Sequence, residues 1–432
     1  MRGWFHHPVC VLSASLPATK LGNKGIVMLI QRWLLALGAL GVAGLLLTGP
    51  ARAQHKTTQT TSLKNGEKVD TGTTLGTTVP MPAGYGLYAD GGNTVDAPGN
   101  NTITTGGRNA HGIFVDTTLG GIASSTATGT LIDTTGANAL GVSVQSGAGG
   151  TATAMLIGVT ITTHGKSADG VSAKGLGGTA TATVTDTIIR THGLGAFGAI
   201  ATEGGTLRLL GNTHISTFQG NTGGVLSGDV GTLVTVADTV VIDTAANASD
   251  AMFVTLGGTL IAGAASVTTA GAQSAGLGMQ QGGTATLTGT QLTTMLDQAH
   301  GIVLSHALDP GTHIVTVNGG VITTNGPASH AVVFHGSTGG PGQDQVTFDA
   351  ASKITTNGPG AHGVSVQGGA TQTIDVTANA GPGVLVLPST GANISIQGPG
   401  SALCRRSTPT ACSPSRAMAC RRASISGRTP GA

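Results

Sequence analysis

The chain has 432 residues and a formal net charge of +2; glycine accounts for 73 residues, charged residues for 9% and aromatic residues for 3%. The composition argues against disorder, because hydrophobic residues still make up 39% and stand in alternating runs, and against collagen, because glycine does not fall at every third position. Residues 54–400 contain nine basic against 18 acidic residues, so this body carries a formal charge of −9 and is unsuited to binding nucleic acid.

The N-terminal segment is predicted to direct export. Residues 1–27 are interpreted as an upstream extension or a misassigned start, with Met28 as the true start. Residues 28–53 have the pattern of a secretory signal peptide, in which Arg32 precedes an apolar run over residues 34–47. We therefore expect the chain to be exported through the inner membrane by the Sec machinery.

A cleavage site follows the apolar run. Ala51 and Ala53 form an A-x-A triplet, and cleavage after it makes Gln54 the first residue of the mature chain. A transmembrane anchor is the alternative, but the apolar run is shorter than the roughly 20 residues that a spanning helix needs. Signal peptide 28–53 is the favoured interpretation.

Residues 54–400 form a body that contains sequence repeats from about residue 101. The phrase Ile103-Thr104-Thr105-Gly106, followed by Ala110-His111-Gly112, returns with a period of ~27 residues, which is typical of a stack of supersecondary units. The first apolar residue of the phrase lies at Ile103, Ile132, Ile161, Ile189, Ile215, Ile242, Val267, Leu292, Ile322 and Ile354.

One repeat reads as three short strands joined by glycine-rich corners. Within residues 151–178, two segments alternate at period two, a turn cluster follows, and a third short strand precedes a glycine-rich corner. No helical period is present, so the sequence predicts an all-β fold, a right-handed parallel β-helix (solenoid) of about ten to eleven coils. We expect Ile132, Ile161, Ile322 and Ile354 to point inward and the threonines outward. A propeller would need longer blades, and a sandwich would not repeat in sequence.

Residues 401–432 differ from everything before them. They contain six arginines, no acidic residue, and three of the four cysteines, Cys404, Cys412 and Cys420. The segment is interpreted as a basic tail that is disordered or read out of frame. Because the fourth cysteine is Cys10, the repeats contain neither a disulfide nor a thiolate metal site.

The repeats resemble a known family. The strings Ile322-Thr323-Thr324-Asn325-Gly326 with His330, and Ile354-Thr355-Thr356-Asn357-Gly358 with Ala361-His362-Gly363-Val364, are similar to coils in the passengers of pertactin-like autotransporters. The resemblance covers about residues 54–400. It implies type V secretion and display at the outer membrane and cell surface as a virulence-associated adhesin. Family members carry a C-terminal translocator barrel, and no segment after Gly400 has its alternating pattern. We therefore expect the product to be periplasmic or extracellular unless a separate translocator acts on it.

No residue of the sequence is indicated as catalytic, and one set of histidines raises the question of a metal site. His111, His300, His330 and His362 share one repeat position, where a ladder of ring nitrogens could bind metal. The alternative is an ordinary turn position, since Leu140, Asp169 and Phe197 occupy the same place in other repeats.

The acidic residues do not indicate an enzyme either. Asp116, Asp133, Asp186 and Asp243 occur singly, about one per repeat, whereas glycoside cleavage needs clustered carboxyl groups. No catalytic residue, metal or cofactor is therefore predicted.

The favoured hypothesis is a non-enzymatic adhesin that binds a ligand on a host or neighbouring cell. Binding would use strand faces and the longer loops at residues 308–311 and 336–342. The alternatives are a carbohydrate-active β-helix enzyme and a non-functional, frame-shifted remnant of an autotransporter gene.

Overall fold

The computed structural model describes residues 74–77, 84–305, 311–335, 344–349 and 351–367, and the backbones of four strands between residues 373 and 405. The predicted extension 1–27, the signal peptide 28–53 with Ala51, Ala53 and Gln54, most of the tail and most of the two long loops lie outside the described residues. The described part consists of β-strands and turns.

The strands form three parallel sheets, and up to β33 each coil contributes one strand to each sheet in turn. Sheet 1 has 11 strands, which pair in the order of the chain. Its strands are β1 (Thr74–Thr77), β4 (Thr102–Thr105), β7 (Leu131–Thr134), β10 (Thr160–Thr163), β13 (Ile188–Thr191), β16 (His214–Thr217), β19 (Val241–Thr244), β22 (Ser266–Thr269), β25 (Gln291–Thr294), β28 (Val321–Thr324) and β31 (Lys353–Thr356).

Sheet 2 has 13 strands and follows sheet 1 along each coil. Its strands are β2 (Leu87–Asp90), β5 (Ile113–Thr117), β8 (Val142–Ser146), β11 (Val171–Lys174), β14 (Phe197–Thr202), β17 (Gly223–Gly228), β20 (Asp250–Thr255), β23 (Ala275–Gln280), β26 (His300–Ser305), β29 (Val332–His335), β32 (Val364–Gln367), β34 (Val384–Leu387) and β36 (Ala402–Arg405).

Sheet 3 has 12 strands and completes each coil. Its strands are β3 (Thr94–Ala97), β6 (Gly121–Thr128), β9 (Gly150–Ile157), β12 (Thr179–Thr185), β15 (Thr206–Leu210), β18 (Leu233–Val236), β21 (Thr259–Ala262), β24 (Gly283–Thr288), β27 (His313–Asn318), β30 (Asp344–Phe348), β33 (Thr373–Val376) and β35 (Asn393–Ile396). The predicted parallel β-helix is confirmed, and the predicted number of coils is close to that observed.

The recurring apolar residue of the repeat forms one column in sheet 1. The ten positions from Ile103 to Ile354 pair with each other in unbroken register, and Leu75 of β1 precedes them. All of them are buried except Ile354, which is partly buried against the same core. The inward orientation predicted for Ile132, Ile161 and Ile322 is confirmed. Burying each side chain stabilises the fold by about 1.5–3 kcal/mol.

The buried threonine two residues later closes the corner between sheets 1 and 2. The Thr134 hydroxyl donates to the carbonyl of Ala139 at 2.6 Å, and the Thr324 hydroxyl donates to Ser329 at 2.6 Å. The same bond over five residues occurs at Thr105, Thr163, Thr244 and Thr294. The hydroxyl therefore closes the corner in these six coils, whereas at Thr191, Thr217 and Thr269 it is buried without a hydrogen-bond partner.

Glycine after these threonines permits close stacking of the corners. A Cβ atom on Gly165 would overlap the carbonyl oxygen of Gly136 in the preceding coil, and one on Gly358 would overlap that of Gly326. The repeated Ile-Thr-Thr phrase with its glycine therefore reflects three features of the stack. These are an apolar residue in the core, a threonine hydroxyl that closes the corner in most coils, and a glycine where the corners of successive coils meet closely.

Candidate binding surface and corner column

The outward residues of sheet 3 form a regular surface that is rich in threonine. Each strand from β6 to β30 contributes two outward residues in register, and we call these two columns the threonine face. One column is Ser124, Thr153, Thr181, Thr206, Leu233, Thr259, Thr284, Ile314 and Gln345; the other is Thr126, Met155, Thr183, Arg208, Thr235, Ile261, Thr286, Thr316 and Thr347.

The threonine face is almost free of charge. Arg208 is its charged residue, and the side chains of Met155, Ile261 and Ile314 are 45%, 42% and 38% exposed. Most inward residues of the same strands are small or aliphatic, such as Ala182 and Leu260, and are buried; His313, Asp344 and Phe348 are buried exceptions. Alternation of small inward residues with β-branched outward ones produces this face directly from the sequence.

Most other charges lie on the other two sheets and at the corners, although Asp96 of β3 and Asp375 of β33 pair in register with the two ends of the second column. On sheet 1, His214 Nε2 lies 2.8 Å from the Asp243 carboxylate, and on sheet 2, Lys174 Nζ lies 3.0 Å from Glu203. These pairs are well exposed and contribute little stability. Electrostatically, the threonine face therefore differs from the rest of the described surface.

The histidines predicted to share a repeat position do lie in one column. This corner column stands where the chain enters sheet 2, and its residues bond to the next coil. The backbone N–H of Leu140 donates to His111 Nδ1 at 3.0 Å, and the N–H of His330 donates to His300 Nδ1 at 3.0 Å. The N–H of His362 likewise donates to His330 Nδ1 at 3.1 Å. An Nδ1 atom that accepts a backbone proton must be unprotonated, so these three imidazoles are neutral.

The imidazole rings stack along the column. The His300 and His330 ring centroids are 5.2 Å apart, and those of His330 and His362 are 5.0 Å apart, with nearly parallel planes. Burial, then the neighbouring histidines including His335, lowers the pKa of His300 to about 3 and that of His330 to about 4. Parallel rings do not direct their nitrogens at one point, and the described residues contain no group of three His, Cys, Asp or Glu suited to a metal ion.

Aspartate takes the same role elsewhere in the corner column. The N–H of Phe197 donates to Asp169 Oδ1 at 2.7 Å, and the N–H of Ala275 donates to Asp250 Oδ1 at 2.7 Å. Burial raises the pKa of Asp169 to about 7 and that of Asp250 to about 6, although each accepts a backbone hydrogen bond that acts in the opposite direction. Sequence reasoning recognised the shared position but missed its role as an acceptor, because the donor comes from the next coil.

Other carboxylates satisfy backbone groups at the corner between sheets 3 and 1. Asp186 accepts the N–H of Asn212 at 2.8 Å, and Asp238 accepts the N–H of Ala264 at 3.0 Å. Asp133 and Asp243, by contrast, are outward residues of sheet 1, four coils apart. The predicted acidic residues are therefore spread over different sides of the coil.

Asp90 and Asp116 are the exception, because they are register neighbours on sheet 2. The Asn93 amide donates to Asp90 at 2.9 Å, and the N–H of Thr118 donates to Asp116 at 2.9 Å. Burial is the main cause that raises the pKa of Asp116, and the neighbouring Asp90 adds to it. Tyr85 and Tyr88, the two tyrosines of the chain, stack beside this pair, with ring centroids 5.2 Å apart.

A buried histidine–aspartate pair was not foreseen. His313 Nδ1 lies 2.7 Å from Asp344 Oδ1, both side chains are fully buried, and His313 Nε2 accepts the N–H of Gly282 at 3.2 Å. Both ring nitrogens are thus engaged, so His313 cannot act as a general base in this arrangement. Its partner is 31 residues away, which is one coil, and only the coil register would have revealed the pair.

No protein-family model matches this chain, and no curated protein is similar to it in sequence. No helix in the described ranges has the length and hydrophobicity needed to cross a bilayer.

Proposed function

We propose that this chain is the passenger of a pertactin-like autotransporter, exported by the Sec machinery and presented at the cell surface as a non-enzymatic adhesin. The observation that carries the proposal is the threonine face, a surface that runs along nine coils and has Arg208 as its single charged residue. A ligand on a host or neighbouring cell would bind to this extended surface and not in a pocket.

The arrangement of polar groups supports a scaffold. Six carboxylates accept backbone N–H groups of the adjacent coil, as the buried histidines do: Asp169, Asp186, Asp229, Asp238, Asp250 and Asp349. These groups are engaged in holding the stack together, and catalysis would require them to be available to a substrate.

The composition of the repeats supports export. Residues 54–400 contain no cysteine, so no disulfide can lock the chain before it crosses the outer membrane. Each coil contacts its neighbours along the stack, so folding can propagate from one end as the chain emerges.

The test is to express the full chain in a Gram-negative host, fused in frame at its C-terminus to an autotransporter translocator. We expect the surface protein to begin at Gln54, to be digested when intact cells are treated with protease, and to increase attachment of those cells to an epithelial monolayer. A product that retains residues 34–47 in the inner membrane would contradict the proposal, as would surface display without any gain in attachment.

A carbohydrate-active enzyme is the second candidate, and the neighbouring carboxyl groups of Asp90 and Asp116 beside Tyr88 favour it. The purified chain should be incubated with neutral and acidic polysaccharides and assayed for new reducing ends. We expect none. Product formation that is lost in Asp116→Asn but kept in Asp133→Asn would establish the enzyme in place of the adhesin.

A further inference from the structure

We propose that a notch between Phe218 and Met295, at the corner between sheets 1 and 2, binds a pyranose ring of a neutral carbohydrate. The notch lies away from the threonine face of sheet 3. It is built from residues that the function proposed above does not use, so the inference does not depend on that function.

The notch is part of a column of outward residues, each of which directly follows a strand of sheet 1. The backbone N–H groups of Phe218, Ala245, Ala270 and Met295 donate to carbonyl groups of the preceding coil at 2.8–3.1 Å, so these residues follow one another at successive coils. The side chains of Phe218 and Met295 are 41% and 45% exposed. Because each alanine between them carries only a methyl group, a gap remains between the two larger side chains.

The Phe218 ring is the last of three stacked rings in this column. The ring centroids of His164 and His192 are 5.1 Å apart and those of His192 and Phe218 are 4.6 Å apart, with planes within 10° of each other. One face of the Phe218 ring is covered by His192, and the other looks over Ala245, whose methyl group is too small to cover it. An exposed aromatic face is apolar and slightly negative, which suits the C–H groups on one side of a sugar ring.

The depth of the notch fits a stacked six-membered ring. Three coil spacings of about 4.8 Å place the level of Met295 about 14 Å beyond that of Phe218. The rings already in the column are spaced by 4.6–5.1 Å, so the two alanines leave the depth of two ring layers. A pyranose stacked on Phe218 fills the first layer, and a second sugar residue fits between it and Met295.

The wall of the notch on sheet 1 carries oxygen atoms. Ser216, Asp243 and Thr268 are outward residues in register, two positions before the column residues of their coils. Asp243 Oδ2 lies 2.8 Å from His214 Nε2, whereas Asp243 Oδ1 has no hydrogen-bond partner in the part of the chain that the structure describes. The Asp243 side chain is 43% exposed. Hydroxyl and carboxylate oxygens beside an aromatic face match the hydroxyl groups of a sugar, whereas a purely aromatic ligand would leave them unused.

Charge and packing narrow the choice further. Asp243 and the formal charge of −9 on residues 54–400 disfavour an anionic sugar. Beyond Met295 the column is closed, because the Asn325 amide contacts the Met295 sulfur at 3.8 Å and the Asn357 amide donates to Asn325 Oδ1 at 2.8 Å. The open layers therefore lie over Ala245 and Ala270.

The experiment is saturation-transfer difference NMR of the full chain with the methyl α-pyranosides of glucose, galactose and mannose. We expect at least one of them to bind, with the strongest saturation on the C–H protons of one ring face. Phe218→Ala removes the aromatic face, and Ala245→Phe fills the first ring layer, so each variant should weaken binding by about tenfold or more. The control, Leu194→Ala, removes a similarly exposed apolar side chain at the same corner one coil earlier and should leave binding unchanged.

Circular dichroism must show that each variant keeps its strand content, and Ala245→Phe tests the notch with the Phe218 side chain still present. The absence of saturation for all three pyranosides would overturn the proposal, as would unchanged binding by Ala245→Phe. If p-cresol binds in their place and both notch variants lose it, the notch takes an aromatic ring and the assignment to a sugar is wrong. These measurements use the purified chain, so they are independent of whether cells that display it attach to a monolayer.

Discussion

In the coils around His300 and His330 the corner column consists of neutral imidazoles, whereas in the coils around Asp169 and Asp250 it consists of carboxyl groups. Each side chain accepts the backbone N–H of the residue at the same position one coil later. The hydrogen bond is shared, but its dependence on pH has opposite signs in the two regions. At this corner the fold thus accommodates an imidazole or a carboxyl group as the acceptor, and also side chains that cannot accept, such as Leu140 and Phe197.

The sign follows from proton linkage. For His300 and His330 the folded state has the lower pKa, so the unfolded chain takes up protons first and stability falls as the pH drops from about 6.5 towards 3–4. For Asp169 and Asp250 the folded state has the higher pKa, so stability falls as the pH rises from about 3.8 towards 6–7. The histidine coils are most stable at neutral pH, and the aspartate coils in mild acid.

The largest effect is expected in the apolar column that both regions share. Ile189→Asp near Asp169 and Ile322→Asp near His330 each bury an unpaired charge and should cost about 3–5 kcal/mol at neutral pH. Thr323→Asp, on the outward side of the same strand as Ile322, is the control and should change stability by less than about 1 kcal/mol. Urea unfolding followed by circular dichroism measures both. Equal effects at Ile322 and Thr323 would contradict the inward register.

The next effect concerns acid sensitivity of the histidine coils. In His300→Asn/His330→Asn the amide oxygens can still accept the backbone N–H groups but do not titrate. The stability lost between pH 6.5 and 4, on the order of 1–3 kcal/mol for the pair after allowing for partial exposure, should therefore disappear.

The control for this variant is a second ring stack. His164 and His192 stack at 5.1 Å on the outer surface next to sheet 1. His164→Asn/His192→Asn should leave most of the acid sensitivity in place. If this control flattens the pH profile and the corner-column variant does not, the assignment is wrong.

A smaller effect of opposite sign is expected at Asp169. Asp169→Asn keeps an oxygen for the Phe197 N–H and removes the cost of ionising a buried carboxyl group. We expect the variant to be more stable by about 1–2 kcal/mol at pH 8 and indistinguishable at pH 4. Thermal unfolding at the two pH values checks this, and Asp243→Asn on the exposed face of sheet 1 should give no such difference. A destabilised Asp169→Asn chain at pH 8 would contradict the prediction.

The smallest effect on stability is expected for Thr163 and Thr191, which are register neighbours in the buried threonine column of sheet 1. Thr163 closes the corner next to Asp169 by donating to the Ala168 carbonyl, whereas the Thr191 hydroxyl is buried without a hydrogen-bond partner. Thr163→Val should cost about 1 kcal/mol, and Thr191→Val should be neutral or stabilising. Chemical denaturation of the two variants in parallel provides the measurement, and equal losses would show that the corner bond is unimportant.

The sequence located the repeat position of all ten residues from Ile103 to Ile354, because one position per coil must be filled by an aliphatic residue at every level. Of the four predicted to point inward, Ile132, Ile161 and Ile322 are buried and Ile354 is partly buried. The sequence did not identify Leu75 as the same position in β1, since Thr74-Leu75-Gly76-Thr77 lacks the Ile-Thr-Thr phrase. The last described strand, Ala402–Arg405, lies within the segment interpreted as a tail. It pairs in parallel with β34, and this pairing depends on the register of β34, which the sequence of the tail alone does not reveal.

The candidate surface was predicted only in outline. Outward threonines follow from the alternation, but the near absence of charge on the threonine face emerges only once residues from distant repeats are placed in columns. The shared position of the corner column was recognised, but its role as an acceptor could not be derived, because His111, Asp169 and Phe197 have little chemistry in common. What they share is their place beside an N–H group that comes 25–32 residues later in the chain.

Amide hydrogen exchange resolved by residue can distinguish the two kinds of acceptor in the corner column, because it reports the corner hydrogen bonds one by one. Protection factors, corrected for the intrinsic pH dependence of exchange, should be compared at pH 7 and pH 4. We expect the amides of His330 and His362 to lose protection in acid, and those of Phe197 and Ala275 to keep or gain it. Loss of protection in both regions, or no change in either, would contradict the opposite pH dependence of the histidine and aspartate corner bonds.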